Sequence, residues 1–160
     1  MSVQVLDICA AGNYFFRMDP AAIDILLVED NPGDTRLVQL AVEAWRPPAK
    51  LTCAKNAQEA LALLRGDGSR HAAYRPRLIL LDLNLPGMDG RELLAEIKRN
   101  PELAVIPVVI LTTSNAAADV HAALRLHANS YVVKPMNLQS YYDVFGAIES
   151  FWLKTSSLPS

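Results

Sequence analysis

Short apolar blocks alternate along this chain with longer stretches in which apolar positions recur every three or four residues. The blocks Ile23–Val28, Leu51–Ala54, Leu78–Leu81, Val105–Leu111 and Tyr131–Val133 are too short for buried helices and predict five strands, most of them buried on both faces. The stretches between and after them predict five helices. The first begins at Asn31-Pro32-Gly33-Asp34, carries Leu37, Leu40, Ala41 and Ala44 on one stripe, and stops at Arg46-Pro47-Pro48. Asn56–Glu59 and Asp89–Glu92 have the form of capping boxes, opening helices that turn Ala60, Leu61 and Leu64, then Leu93, Leu94 and Ile97, toward the core. Asn115 is placed to cap a fourth helix with Val120, Ala123 and Leu124 inward. Asn137 is placed to cap a fifth, with a Met136–Tyr141 staple and a stripe of Leu138, Tyr141, Phe145, Ile148 and Trp152.

Strands that alternate with helices predict an α/β three-layer sandwich around a parallel sheet. One domain over residues 22–153 accounts for all ten elements. Residues 1–21 have no period or capping logic and are expected to be loosely ordered, and residues 154–160 form a polar tail.

Composition narrows the function classes. Of 160 residues, 51% are hydrophobic and 20% charged, which excludes wholesale disorder. A formal net charge of −2 gives no electrostatic reason to expect nucleic acid as a partner. Cys9, Cys53, His71, His121 and His127 make no metal-type spacing. No apolar run reaches membrane-span length and the first residues make a poor signal peptide, so a cytoplasmic location is expected.

The candidate chemistry sits where strands end. Strand one runs into Glu29-Asp30, strand three into Asp82, strand four into Thr112 and strand five into Lys134. In a parallel sheet these ends share one edge, where open α/β folds bind ligands. Clustered carboxylates repel one another unless a cation neutralises them, and an all-oxygen ligand set suits Mg²⁺. A carboxylate oxygen left free by that cation can attack phosphorus, with a hydroxyl and an ammonium opposite to hold the other phosphoryl oxygens.

These motifs resemble the response-regulator receiver domains of two-component signalling. The resemblance spans about residues 22–152 and rests on Leu27-Val28-Glu29-Asp30, Leu81-Asp82-Leu83-Asn84-Leu85-Pro86-Gly87-Met88-Asp89-Gly90, Val109-Ile110-Leu111-Thr112-Thr113 and Tyr131-Val132-Val133-Lys134-Pro135. It implies a flavodoxin-like fold with strand order 2-1-3-4-5 and a phosphorylation switch rather than an enzyme with an external substrate. Asp82 takes the phosphoacceptor position. Glu29 and Asp30 match the acidic pair that holds Mg²⁺, with a contribution from the backbone carbonyl of Asn84. Thr112 and Lys134 match the pair that grips the phosphoryl group, and Tyr131 matches the aromatic switch. The resemblance also implies a cis Lys134–Pro135 bond.

More narrowly, Glu29-Asp30-Asn31-Pro32-Gly33-Asp34 with Phe151-Trp152-Leu153 is similar to the single-domain regulators paired with bacterial phytochrome histidine kinases. That likeness implies a histidine kinase as partner. It also implies a homodimer through the fourth helix, fifth strand and fifth helix. The aromatic excess of the last helix points the same way, with Tyr141, Phe145, Phe151 and Trp152 as expected interface residues. His127 is a departure, since it stands where the family usually has Gly before the turn into strand five. A helix C′ position with positive φ favours Gly, so a modest stability cost is expected there.

Two other readings compete. A metal-dependent phosphatase on a related scaffold usually needs a second acid two residues beyond the nucleophile, where this chain has Asn84. A receiver used only as a scaffold would not need the intact set of acids, hydroxyl and lysine.

Overall fold

The computed structural model describes residues 22–66 and 72–155. Five parallel strands form one sheet in the order β2-β1-β3-β4-β5: β1 (Ile23–Val28), β2 (Ala49–Ala54), β3 (Leu78–Leu81), β4 (Val108–Thr112) and β5 (Ser130–Val133). Six helices accompany them: α1 (Pro32–Glu43), α2 (Ala57–Arg65), α3 (Gly90–Arg99), α4 (Pro101–Ala104), α5 (Ala117–Arg125) and α6 (Leu138–Glu149), the last widening into a π-helical segment over Ser150–Thr155. The expected fourth and fifth helices are therefore α5 and α6. The expectation for residues 1–21 falls outside the described residues, as do Cys9 and His71.

The alternation of side chains along each strand divides the core in two. Leu26, Val28, Ile79, Leu81, Val108 and Ile110 face α2 and α3, meeting Ala60, Leu64, Leu93, Leu94 and Ile97. Ile25, Leu27, Leu78, Leu80, Val109 and Leu111 face α1 and α6. There Val38, Ala41 and Val42 provide a low surface into which the large rings of Trp45, Tyr141 and Phe145 fit. The stripe expected on α1 is thus rotated, with Leu37 and Leu40 only half buried and Ala44 exposed.

That packing corrects part of the interface expectation. Tyr141 and Phe145 are buried inside the chain, their rings stacked 6.0 Å apart, and Phe145 lies 6.2 Å from Trp45. They are core residues, since the small α1 residues leave a space that only aromatic rings fill. Met136 is almost fully exposed, so the staple with Tyr141 does not form.

Three local expectations also change. Strand four starts at Val108, three residues late, because Asn100-Pro101 opens the extra turn α4, with the Asn100 side chain capping Glu102 N–H at 2.9 Å. The carbonyls of Ala104 and Ile106 then accept from Lys98 Nζ at 3.1 and 2.8 Å, which keeps this segment out of the sheet. Burial lowers the Lys98 pKa below the ordinary lysine value. Helix α5 is capped at Ala116 without a side-chain bond, and Asn115 plays no part because Ser114 Oγ takes the Ala116 N–H instead. Among the described residues the cis proline bond is Arg46–Pro47, and Lys134–Pro135 is trans.

His127 does adopt a positive φ, 65°. A Cβ in this conformation costs energy that glycine avoids. His127→Gly is expected to stabilise the fold by about 0.5–1 kcal/mol, raising the midpoint of thermal unfolding by roughly 2–3 °C. Circular dichroism melts of the two proteins at pH 7 check this, and an unchanged or lower midpoint would contradict it.

Candidate functional site

Register decides which strand-end residues meet. Val28 pairs with Leu81, so Glu29 and Asp82 emerge side by side from β1 and β3. Thr112 pairs with Val133, which places Lys134 one residue beyond the end of β5 on the same edge. Backbone bonds carry the alignment past the strands: Asp82 N–H donates to Val28 O at 3.0 Å and Lys134 N–H to Thr112 O at 2.7 Å. All four side chains are at least nine-tenths buried.

The centre of the site is one ammonium. Lys134 Nζ lies 2.6 Å from Glu29 Oε2, 2.7 Å from Asp82 Oδ2 and 2.7 Å from Asp34 Oδ2. Burial opposes its charge, but hydrogen bonds to Asp34 and Asp82 and the Glu29 carboxylate beside it outweigh that and hold its pKa above the ordinary lysine value. Glu29 moves the other way. Burial raises its carboxyl pKa, only partly offset by Lys134 and by the Asn31 N–H that donates to Oε1 at 3.0 Å. The Tyr141 hydroxyl, buried beneath the site, is pushed up to about 12 by burial and then by the Asp34 charge.

Asp34 is the residue that the sequence expectation left out of the site. It stands in the first turn of α1, where an acid has an ordinary explanation as a complement to the helix dipole. The signal available was its position five residues beyond Glu29, just over one helical turn from the edge of the sheet.

Glu29, Asp30 and Asp82 each offer a carboxylate oxygen within 4.8 Å of the others. Asp30 is exposed while the other two are buried, so the cluster has a solvent-facing side. Glu29 Oε2 is buried and, despite its closeness to Lys134, has no aligned hydrogen-bond donor. Oxygen-only donors and an incompletely satisfied buried carboxylate fit a hard divalent cation. Asp82 Oδ1 accepts from Asn84 N–H at 3.0 Å, which fixes the carboxylate plane.

Thr112 Oγ1 lies 3.4 Å from Asn84 Nδ2 and faces the same space. Beyond it, the loop into α5 is braced from several sides. Ser114 Oγ donates to Asp119 Oδ2 at 2.5 Å, and Arg91 Nη2 donates to Asp119 Oδ1 at 2.6 Å. These two bonds hold the Asp119 carboxyl below its usual pKa, Ser114 contributing most. Tyr131 OH donates to Ser114 O at 2.9 Å, so the ring expected as a switch is tied to this loop. Arg91 and Asp119 were not legible as site neighbours, because their sequence positions suggest only ordinary first-turn charges on two separate helices. Phe151 is exposed and Trp152 half buried, with edge-to-face rings 4.9 Å apart, and both lie away from this edge.

Gly90 secures the loop after Asp82. A Cβ there would lie 2.3 Å from Asp82 O and 2.6 Å from Leu83 Cα, both backbone atoms. Its N–H also donates to Leu83 O at 3.0 Å, so α3 starts in direct contact with the Asp82 strand end. Gly90→Ala is expected to destabilise the fold on the order of 1–3 kcal/mol, the usual cost of overpacking a tight contact. Urea unfolding measures it, and a loss below about 0.5 kcal/mol, the range of neutral surface changes, would show that the close approach is dispensable.

Comparison with known proteins is consistent with this geometry. The sequence pattern of the response regulator receiver domain matches residues 25–144. Response regulator Rcp1 of Synechocystis is 48% identical over 136 residues, covering 85% of this chain and 92% of that protein. Among solved structures, the phosphorylated cyanobacterial phytochrome response regulator RcpA superposes with a TM-score of 0.82 at 47% identity, covering 88% of this chain and all of that one. The Mn²⁺-bound form of Rcp1 gives 0.79 at 48% identity, covering 86% and 99%.

Proposed function

The chain belongs to the response regulator receiver domain family, and from that premise we propose that residues 22–153 form a phosphorylation switch with Asp82 as acceptor. The observation that carries this reading is the Asp82 carboxylate held between a buried ammonium 2.7 Å away and an acidic cluster suited to a divalent cation. Asp30, Asp82 and the backbone carbonyl of Asn84 would hold Mg²⁺, with Glu29 behind Asp30 because Asn31 N–H fixes its Oε1 and the Lys134 ammonium lies beside its Oε2. Bound there, the cation supplies the positive charge that lets an anionic phosphoryl group approach several carboxylates.

The residues of the chain do the rest. Asn84 N–H holds Asp82 Oδ1, leaving the carboxylate oriented for attack on phosphorus. As the new phosphorus–oxygen bond forms, the bond to the donor's leaving group breaks and that group departs with the electron pair. Lys134 and the Thr112 hydroxyl donate to the phosphoryl oxygens. Movement of Thr112 toward the phosphoryl group is felt through Ser114, whose carbonyl accepts from Tyr131. The donor is a histidine kinase, and the relatives described as phytochrome response regulators support a phytochrome-type kinase. With Mg²⁺ and acetyl phosphate, the wild type is expected to take up base-labile phosphate. Asp82→Asn is expected to take up none, and Lys134→Met to slow uptake by about tenfold or more, the worth of one charge-assisted bond. Undiminished labelling of Asp82→Asn would overturn the assignment of the acceptor.

For assembly, we propose a homodimer through the face made by α5, β5 and α6. Leu124, Val133, Tyr142 and Phe151 are large apolar residues left exposed, and Trp152 is only half covered. Such residues are over-represented in interface cores. Light scattering at tens of micromolar is expected to give twice the chain mass, and a Val133→Ser/Phe151→Ser double variant to give the monomer. A monomeric wild type, with and without beryllofluoride, would defeat this proposal. Among the described residues no helix is long and apolar enough to cross a membrane.

A further inference from the structure

An ammonium has three N–H donors. Lys134 Nζ donates aligned bonds to Asp82 and Asp34 at 2.7 Å, and Glu29 Oε2 crowds its remaining side at 2.6 Å. A phosphoryl oxygen gripped by Lys134 must therefore take the place of one of them. Asp82 is the acceptor itself and stays. Glu29 is buried and its other oxygen is fixed by Asn31 N–H. Asp34 differs from both, because its side chain is 28% exposed and Lys134 is its hydrogen-bond partner. Its backbone N–H is held separately by the Asn31 side chain at 3.1 Å, so the carboxylate can swing into water without opening the helix.

We propose that Asp34 is a displaceable counter-carboxylate, occupying on Lys134 the position that a phosphoryl oxygen takes in the phosphorylated state. It is a positioning residue, acting through Lys134. The inference rests on Asp82 being the acceptor. Two effects of Asp34 have the same sign. Its pairing with Lys134 stabilises the unphosphorylated protein, and once displaced it remains a nearby negative charge that repels the dianionic phosphoryl group. Hydrolysis, in which water attacks phosphorus and the Asp82 carboxylate leaves with the electron pair, restores the pair with Lys134. Asp34 thereby biases the switch toward its resting state, and neutralising it raises the phosphorylated fraction.

The test uses the full chain at saturating Mg²⁺. Beryllofluoride, a phosphoryl mimic that requires no hydrolysis, is titrated calorimetrically into wild type, Asp34→Asn, Asp34→Ser and Asp34→Glu. Steady-state occupancy with acetyl phosphate is measured beside it. Because the pair is partly exposed, its removal is expected to tighten beryllofluoride binding and raise the ratio of phosphorylated to free protein by roughly two- to fivefold in the Asn and Ser variants. Asp34→Glu is expected to return toward wild type. A purely structural residue would change the melting temperature and leave these ratios alone. Unchanged or weaker beryllofluoride binding in Asp34→Asn and Asp34→Ser would overturn the proposal. Labelling that survives Asp82→Asn would instead overturn the reading beneath it, so the two failures are distinguishable.

Discussion

The structure depends on a single buried charge. Lys134 brings one ammonium to the edge of the sheet, and carboxylates from β1, α1 and β3 gather within 2.7 Å of it. Burying those carboxylates without it would leave unpaired charges in a site of low dielectric, where each costs several kcal/mol or shifts its protonation. The sequence separations are long, 52 residues to Asp82 and 100 to Asp34. Only the parallel register, with Glu29, Asp82 and Lys134 each following a paired strand end, brings them together. The same constraint that lets the acids be buried keeps them available for chemistry.

Around this centre, contacts run outward along definite paths. Gly90 presses the start of α3 against the backbone of Asp82 and Leu83. From that helix Arg91 reaches Asp119, Asp119 holds Ser114, and the Ser114 carbonyl holds Tyr131. Thr112 lies two residues before Ser114, so a shift of its hydroxyl pulls on a loop fixed at both Asp119 and Tyr131. Tyr131 stands on β5, the edge strand, beside the exposed Val133. Hydrogen bonds and one ring thus connect the edge that carries Thr112 with a surface strand of the sheet.

Much of this was legible from the chain alone. Apolar runs buried on both faces announced β1, β3 and the later part of β4, and the polar residues that end each run marked the edge at which the acids, Thr112 and Lys134 gather. What escaped notice did so for physical reasons. Asp34 has a sufficient local explanation at a helix N-terminus, which conceals its long-range partner. Tyr141 and Phe145 looked surplus because a stripe on one helix says nothing of the volume opposite, and Val38, Ala41 and Val42 leave room for both rings. Val105 and Ile106 have the right polarity for a strand, but their neighbouring carbonyls belong to Lys98. For Asp34 and the two rings the missing fact was the identity of a partner distant in sequence, and for the strand start it was Lys98, six and eight residues before the carbonyls it binds. His127 is the contrasting case, since its place at a helix end where the family usually has Gly was enough to foresee a positive φ.

The balance of charge explains why such a site works as a switch. Glu29, Asp34 and Asp82 face one ammonium and Asp30 lies beside them, so this edge of the sheet holds a local excess of acid in a chain whose formal net charge is only −2. A phosphoryl group at this edge would add further negative charge to that excess, which a bound divalent cation and Lys134 would offset. Had the acids been neutralised one for one, a phosphate would disturb little, and the loop that carries Thr112 and Ser114 would have no reason to move. The local excess of carboxylates makes the resting arrangement responsive. The exposed position of Asp34 offers a place from which one of them can leave.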